Sequence, residues 1–211
     1  MNINEILSFG SVMPVIVIKD ASHAIPLADA LLAGGISIIE ITLRTEAALE
    51  AIRIIRGERP EMIVGAGTII TAALAHDAVS AGAQFGVSPG ASHSVIDGCN
   101  DAGLSLLPGA TTVSEIMGLA ERGFQQMKFF PAVAAGGRPF LKSLISPFPN
   151  LRFCPTGGIT ETTAPDWLDL ENVPCVGGSW IASARSINAG DFAGIKARAT
   201  VASQLGGKES E

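Results

Sequence analysis

Eight short apolar runs, rich in β-branched residues, recur along the whole of this 211-residue chain. Between them lie segments whose apolar residues follow the period of an α-helix, for example residues 20–33 and 46–56. Other helical segments begin with plausible caps at Thr71, Ser92, Thr112 and Thr160. Nearly continuous apolar strands that alternate with helices are typical of a parallel sheet covered by helices. The runs occupy residues 14–18, 36–42, 62–68, 84–89, 104–109, 127–131, 152–157 and 175–180.

Eight strand–helix units in 211 residues predict an α/β fold, a single (β/α)8 TIM barrel. An open, doubly wound sheet is the alternative. Its dinucleotide-binding version is disfavoured because no Gly-x-Gly-x-x-Gly opens a helix after the first run. We expect one domain over residues 1–211, with a short N-terminal helix at about 1–10 and a flexible tail at about 206–211.

The composition excludes several classes of protein. The formal net charge is −6 and no run of Lys or Arg occurs, which argues against nucleic acid as a partner. No apolar stretch approaches the roughly 20 residues that span a membrane. The three cysteines include no Cys-x-x-Cys pair, which predicts reduced thiols in a cytoplasmic protein.

Metal and serine-hydrolase chemistry are not expected. The three histidines, His23, His76 and His93, fall in helical or helix-start segments and have no ligand spacing. Neither His-Glu-x-x-His nor a Gly-x-Ser-x-Gly elbow occurs.

Lys128 is the first candidate for catalysis, because it interrupts the sixth apolar run. Side chains alternate along a strand, so if Met127 and Phe129 face the helices, Lys128 points into the barrel. Attack of an amine on a ketone needs the neutral form, which burial favours. A lysine that reaches solvent from a strand end, or that forms a structural ion pair, would have the same spacing.

Polar residues also lie within or just after the second and third runs, at the same end of the sheet. Glu40 interrupts the second run in the way that Lys128 interrupts the sixth, as an acid/base or as half of a buried salt bridge. Arg44, four residues on, suits a substrate carboxylate. Thr68 offers a hydroxyl to the same carboxylate, or caps a helix.

Glycine-rich turns end the last two runs, Thr156-Gly157-Gly158 and Gly177-Gly178-Ser179. Barrels commonly bind phosphate at these two strand ends, through bare backbone N–H groups. The sequence therefore predicts a phosphate site there, with simple tight turns as the alternative.

Taken together and in order, these segments resemble the bacterial 2-keto-3-deoxy-6-phosphogluconate (KDPG) aldolases, many of which also act on 4-hydroxy-2-oxoglutarate. The similarity covers nearly the whole chain. The matching stretches are residues 14–18, 34–45, 63–68, 86–90, 128–132, 152–159 and 177–180.

The resemblance implies a class I lyase of the Entner–Doudoroff pathway, a homotrimer without a cofactor. Lys128 matches the Schiff-base lysine and Glu40 the general acid/base. Val133 departs from the family, which often has an acidic residue there, so substrate preference is open. The implied substrate contacts are Arg44, Thr68, Pro89 and Phe130 for the pyruvate part, and Thr156, Gly157, Gly158, Gly178 and Ser179 for the phosphate.

Two other functions fit the same residues. In a phosphate-binding isomerase or synthase, the glycine turns would serve in the same way and Lys128 would be only a charge partner. A barrel that senses a phosphorylated sugar without turnover is the non-enzymatic alternative.

Overall fold

The structure is a computed structural model that describes residues 3–206, in which parallel strands alternate with helices. No helix in this part of the chain is long and apolar enough to cross a membrane. The strands are β1 (Val12–Ile16), β2 (Ile38–Thr42), β3 (Ile63–Gly67), β4 (Phe85–Val87), β5 (Leu106–Leu107), β6 (Gly109–Ala110), β7 (Gln126–Phe129), β8 (Arg152–Pro155) and β9 (Val176–Gly178). The helices are α1 (Ile3–Ile6), α2 (Ala24–Ala33, after a 3₁₀ turn at Ala21–His23), α3 (Ala48–Glu58), α4 (Ala72–Ser80), α5 (His93–Asp101), α6 (Val113–Glu121), α7 (Gly137–Ser143), α8 (Ala164–Leu168), α9 (Ala184–Asn188) and α10 (Phe192–Ser203).

All paired strands are parallel, as the sequence predicts. Six strands form one sheet in the order β5-β4-β3-β2-β1-β9, and three form another in the order β6-β7-β8. An isolated parallel bridge between Thr156 and Gly177 links the end of the second sheet to β9 of the first. The expected α/β fold with a parallel sheet is confirmed.

Each of the eight apolar runs overlaps a strand, but the fifth is divided. Pro108 separates β5 from β6 because it has no N–H to donate to a ladder. The chain pairs with β4 before this residue and with β7 after it. The expectation of one continuous strand over residues 104–109 is therefore wrong.

The predicted ends of the other elements need smaller corrections. Within the described residues, helix α1 covers Ile3–Ile6 and does not continue through 7–10. Residues 1–2 of the expected helix and 207–211 of the expected tail lie outside the described residues. Thr160 does not cap a helix, because α8 begins at Ala164 and its N-cap is Thr163. The other three expected caps are confirmed by side-chain hydrogen bonds to the first turn: Thr71, Ser92 and Thr112.

The apolar core is divided by the strands into two clusters. Ile39, Ile41, Met127 and Phe129 belong to the larger cluster, which includes the buried faces of the helices. The smaller cluster takes the other faces of the strands, and Ile6 and Leu7 from the N-terminal segment complete it. Because side chains alternate along β2 and β7, the residues between these apolar neighbours face the smaller cluster.

Helix α6 begins with a capping box that is tied to the end of β7. The Glu115 carboxylate accepts hydrogen bonds from the backbone N–H groups of Thr111 (2.9 Å) and Thr112 (2.8 Å). The Thr111 hydroxyl donates to the Phe130 carbonyl at 2.6 Å. These hydrogen bonds hold the pKa of Glu115 below its usual value. The cap therefore fixes the loop that supports the end of the lysine strand.

Replacing this carboxylate tests the cap. A lowered folded-state pKa gives stability that is present above the unfolded pKa of about 4.3 and is lost as the pH falls through the folded pKa. We expect Glu115→Gln to cost about 0.5–1 kcal/mol near pH 7. The difference from the wild type should shrink between about pH 5 and about pH 3. Urea unfolding at a fixed protein concentration measures it, and a difference that stays constant with pH would contradict the assignment.

Candidate active site

A buried ion pair joins the two sheets. The Lys128 Nζ lies 3.3 Å from Oε1 and 3.5 Å from Oε2 of Glu40. Lys128 is 3 % exposed and Glu40 is 2 % exposed. Among the ion pairs of residues 3–206, this is the one in which both side chains are buried. The two strands that carry them, β7 and β2, place the amine and the carboxylate within proton-transfer distance.

Space for the Glu40 carboxylate comes from a glycine on the neighbouring strand. A Cβ on Gly67, the last residue of β3, would overlap the Glu40 carboxylate. Two residues earlier, a Cβ on Gly65 would overlap the ring of Phe85 in the same way. Sequence reasoning missed this role, although glycine in a strand interior often marks a close approach.

The point where the chain passes from β5 to β6 holds the backbone of Lys128. The buried Ser88 hydroxyl accepts a hydrogen bond from the Gly109 N–H at 3.3 Å. The Pro108 carbonyl accepts from the Lys128 N–H at 2.8 Å. A Cβ on Gly109 would overlap the backbone of Pro89. Ser88 is thus a positioning residue that sequence reasoning missed, and Pro89 supports this junction.

Arg44 and Thr68 form a unit at the mouth of the site. The Arg44 Nε donates to the Thr68 Oγ1 at 2.9 Å. Thr68 has a φ of 63°, a left-handed conformation that residues with a Cβ adopt at a cost of about 1–2 kcal/mol. The hydrogen bond fixes the guanidinium while its terminal N–H groups stay available to an anion.

A cavity of about 230 Å³ connects these groups to the glycine turns. Lys128 and Phe130 line it, and the Lys128 Nζ is 5.5 Å from the centroid of the Phe130 ring. Gly157 and Gly158 have φ values of 104° and 81°, which are accessible to glycine without strain. Other lining residues are Arg44, Thr156, Gly177 and Ser179.

Three of the proposed contacts, Thr68, Pro89 and Gly178, lie outside this lining, and Thr68 is tied to it through Arg44. Pro89 is half-buried against Gly109. Gly178 packs against the ring of Trp180, where a Cβ would overlap it, and the cavity instead reaches Gly177. The absence of a side chain at Gly178 is therefore explained by packing.

No group of three or more potential metal-ligating side chains occurs in the described part of the chain. His23, which the sequence places in a helical segment, packs edge-on against the ring of Phe192, 5.9 Å between centroids.

Comparison with known proteins gives a consistent result. The family model of KDPG and KHG aldolase matches residues 3–198. The 2-dehydro-3-deoxy-phosphogluconate aldolase of Pseudoalteromonas atlantica is 47 % identical over 188 residues, which are 89 % of this chain and 87 % of that protein. The KHG/KDPG aldolase of Escherichia coli K12 is 46 % identical over 89 % of this chain and 88 % of its own.

Solved structures agree. The KDPG aldolase of Legionella pneumophila, with pyruvate captured as a covalent carbinolamine intermediate, has a TM-score of 0.94 and 41 % identity, covering 97 % of this chain and 99 % of that chain. The KDPG aldolase of Zymomonas mobilis ZM4 with 3-phosphoglycerate has a TM-score of 0.91 and 44 % identity, covering 96 % and 95 %. The chain belongs to the KDPG and KHG aldolase family.

Proposed function

We propose that this protein is a class I aldolase that cleaves KDPG to pyruvate and glyceraldehyde 3-phosphate, a step of the Entner–Doudoroff pathway. Cleavage of 4-hydroxy-2-oxoglutarate to pyruvate and glyoxylate is its second activity. The observation that carries the proposal is the buried Lys128 amine, 3.3 Å from the Glu40 carboxylate in a cavity that also contains an arginine and two glycine turns. Relatives that bear both names support it.

Lys128 is the nucleophile in this scheme. Transfer of an ammonium proton to Glu40 or to water frees the amine, which adds to the C2 ketone of the substrate. The carbinolamine regains the proton that Lys128 gave up and loses water, which leaves a protonated imine. When the C3–C4 bond breaks, its electron pair becomes the C2=C3 double bond of an enamine, and the C=N π pair moves onto the nitrogen.

Glu40 is the acid/base. Directly or through a water molecule, it takes the proton of the C4 hydroxyl as the C3–C4 bond breaks. The aldehyde leaves, and the enamine of pyruvate remains on Lys128. Glu40 returns a proton to C3, and water then hydrolyses the imine to release pyruvate and the free amine.

Binding groups at the two ends hold the substrate over Lys128. Arg44, fixed by Thr68, meets the carboxylate next to C2, and Phe130 lines the pyruvate part. The resemblance adds Pro89, which lies outside the cavity lining. The phosphate lies at the glycine turns, where backbone N–H groups approach it without steric interference. The residues of these turns are Thr156, Gly157, Gly158, Gly178 and Ser179. Gly177 also lines the cavity and is added to this set.

We further propose that the two sheets form one closed (β/α)8 barrel domain. The Thr156–Gly177 bridge and the hydrogen bond from Lys128 N–H to the Pro108 carbonyl support closure at both junctions. The family resemblance supports a homotrimer, which light scattering tests. Three free, buried cysteines support a cytoplasmic location.

Trapping tests the nucleophile. With pyruvate and sodium borohydride, we expect a reduced pyruvoyl adduct on Lys128, mapped by peptide mass spectrometry. Lys128→Ala should lose both the adduct and turnover, whereas Lys196→Ala, on the exposed surface of α10, should keep both. Normal turnover in Lys128→Ala would contradict the imine scheme. No adduct on the folded wild type would favour the isomerase or synthase, and phosphate-sugar binding without turnover would favour the sensor.

Glu40→Gln separates proton transfer from imine formation. We expect kcat to fall by about 10²–10⁴-fold, because a positioned acid/base contributes this much. Borohydride trapping of added pyruvate should continue, since Lys128 is intact. Steady-state kinetics and trapping on the same preparation measure the two effects, and a kcat within about tenfold of the wild type would assign the acid/base role elsewhere.

Gly67→Ala tests the position of the Glu40 carboxylate. The added Cβ overlaps the carboxylate and displaces it, so we expect a loss in kcat on the order of 10²-fold. Gly118→Ala on α6 is the matched control, because its Cβ meets nothing within 4 Å. The control should keep full turnover and gain about 0.5–1 kcal/mol of stability. Equal turnover in both variants would show that Gly67 does not position Glu40.

A further inference from the structure

A second cavity, of about 460 Å³, lies between α7 and α8, and none of the proposed catalytic residues lines it. We call it the α7–α8 cleft and define it by Val133, Arg138, Lys142, Trp167 and Leu170. It is twice as large as the cavity at Lys128, of about 230 Å³. The cleft has no part in the aldolase scheme.

The charge of the cleft is positive. Arg138 and Lys142 are four residues apart on α7 and therefore lie on one face of the helix. Asp166 offsets Arg138, whose Nη1 is 3.7 Å from the Asp166 Oδ2. Across residues 3–206, Lys142 has no carboxylate within ion-pair distance, so one positive charge is left over. This charge matches a monoanion.

The Arg138 side chain also has an unused donor. Its Nε is buried and, within the described chain, has no hydrogen-bond partner. A buried donor of this kind lacks the hydrogen bond that buried polar groups normally make.

The rest of the lining is apolar. Trp167 is 3 % exposed and contributes an aromatic surface, and Leu170 and Val133 add aliphatic surface. A pocket that combines apolar walls with a few polar groups is the usual form of a site for a small organic molecule. An aromatic monoanion matches both the charge and the apolar walls.

Val133 connects the cleft with the proposed phosphate loop. It lines the cleft, and a Cβ on Gly158 would be 2.8 Å from its Cγ2. The Val133 N–H donates to the Gly157 carbonyl at 3.1 Å, and the Ala132 N–H donates to the Thr156 carbonyl at 2.8 Å. A ligand that moves Val133 therefore moves the turn at the phosphate end.

We propose that the α7–α8 cleft binds a small aromatic monoanion, and that occupancy changes the KM for the phosphorylated substrate. The second half of this proposal rests on the proposed function. The first half is independent of catalysis and is tested by binding alone.

The fluorescent probe 8-anilinonaphthalene-1-sulfonate, an aromatic monoanion, tests binding to the full-length protein. We expect saturable binding that weakens about tenfold in Lys142→Gln, the loss of one charged contact. The control Lys196→Gln, on α10, should bind as the wild type does. Sodium sulfate at the probe concentration should not compete. Equal affinity in Lys142→Gln, or equal competition by sulfate, would overturn the proposal.

Two further measurements exclude other locations of the probe. Protein with pyruvate reduced onto Lys128 should still bind the probe, and loss of binding would place the probe in the catalytic cavity instead. Light scattering should give the same mass for the wild type with and without saturating probe. A changed mass would mean that a second copy of the chain covers the cleft, which would also overturn the proposal.

Steady-state kinetics test whether probe binding at the α7–α8 cleft affects the proposed phosphate loop. Saturating probe should change the KM for KDPG in the wild type and leave it unchanged in Lys142→Gln. Probe binding at the cleft without any change in KM would refute the connection alone. Turnover without probe binding would refute the cleft and leave the aldolase proposal intact.

Discussion

The buried ion pair of Lys128 and Glu40 is the constraint to which the rest of the site is fitted. Taking two charges out of water costs several kcal/mol for each ion, and their attraction repays this only when the geometry is good. An apolar pair of similar volume would serve stability as well or better. The proposed imine chemistry gives the pair a use that stability does not, because it needs an amine and a carboxylate that exchange protons away from water. The ion pair also restricts the residues around it. Position 67 must lack a side chain, because a Cβ on Gly67 would overlap the Glu40 carboxylate.

The two charges come from different sheets, so their separation depends on how those sheets are joined. The division of the fifth run at Pro108 transfers the chain from β4 to β7, and the Pro108 carbonyl receives the Lys128 N–H. Ser88 satisfies the Gly109 N–H that the division would otherwise leave without a partner. The break at Pro108 thus sets the position of Lys128. The Ser88 hydroxyl stabilises this break, because it accepts the hydrogen bond of the buried Gly109 N–H group.

How far the sequence predicts this site depends on the range of each interaction. Alternation along a strand is local, and it correctly placed Lys128 and Glu40 on the face opposite their apolar neighbours. The parallel α/β fold follows from the same pattern. The roles of Gly67 and Ser88 depend on which residues of neighbouring strands lie opposite each other. This register cannot be derived from the sequence of either strand alone. The expectation that Thr160 caps a helix failed for a related reason. Several threonines precede α8, and in the folded turn Thr163 takes the N-cap position without a side-chain cap hydrogen bond.

The electrostatics of the site also differ from those of the whole chain. The protein has a formal net charge of −6, yet the proposed substrate is itself an anion with a carboxylate and a phosphate. Lys128 and Glu40 cancel each other, so Arg44 is the remaining full charge in the cavity lining, at the carboxylate end. At the proposed phosphate end, the described lining offers backbone N–H groups, which are uncharged and held by the fold. An anion bound by fixed dipoles needs no mobile cation, but its affinity depends on the exact position of the backbone. The contact of Val133 with Gly158 therefore matters more here than it would beside a lysine, because a small displacement of the turn moves every donor at once.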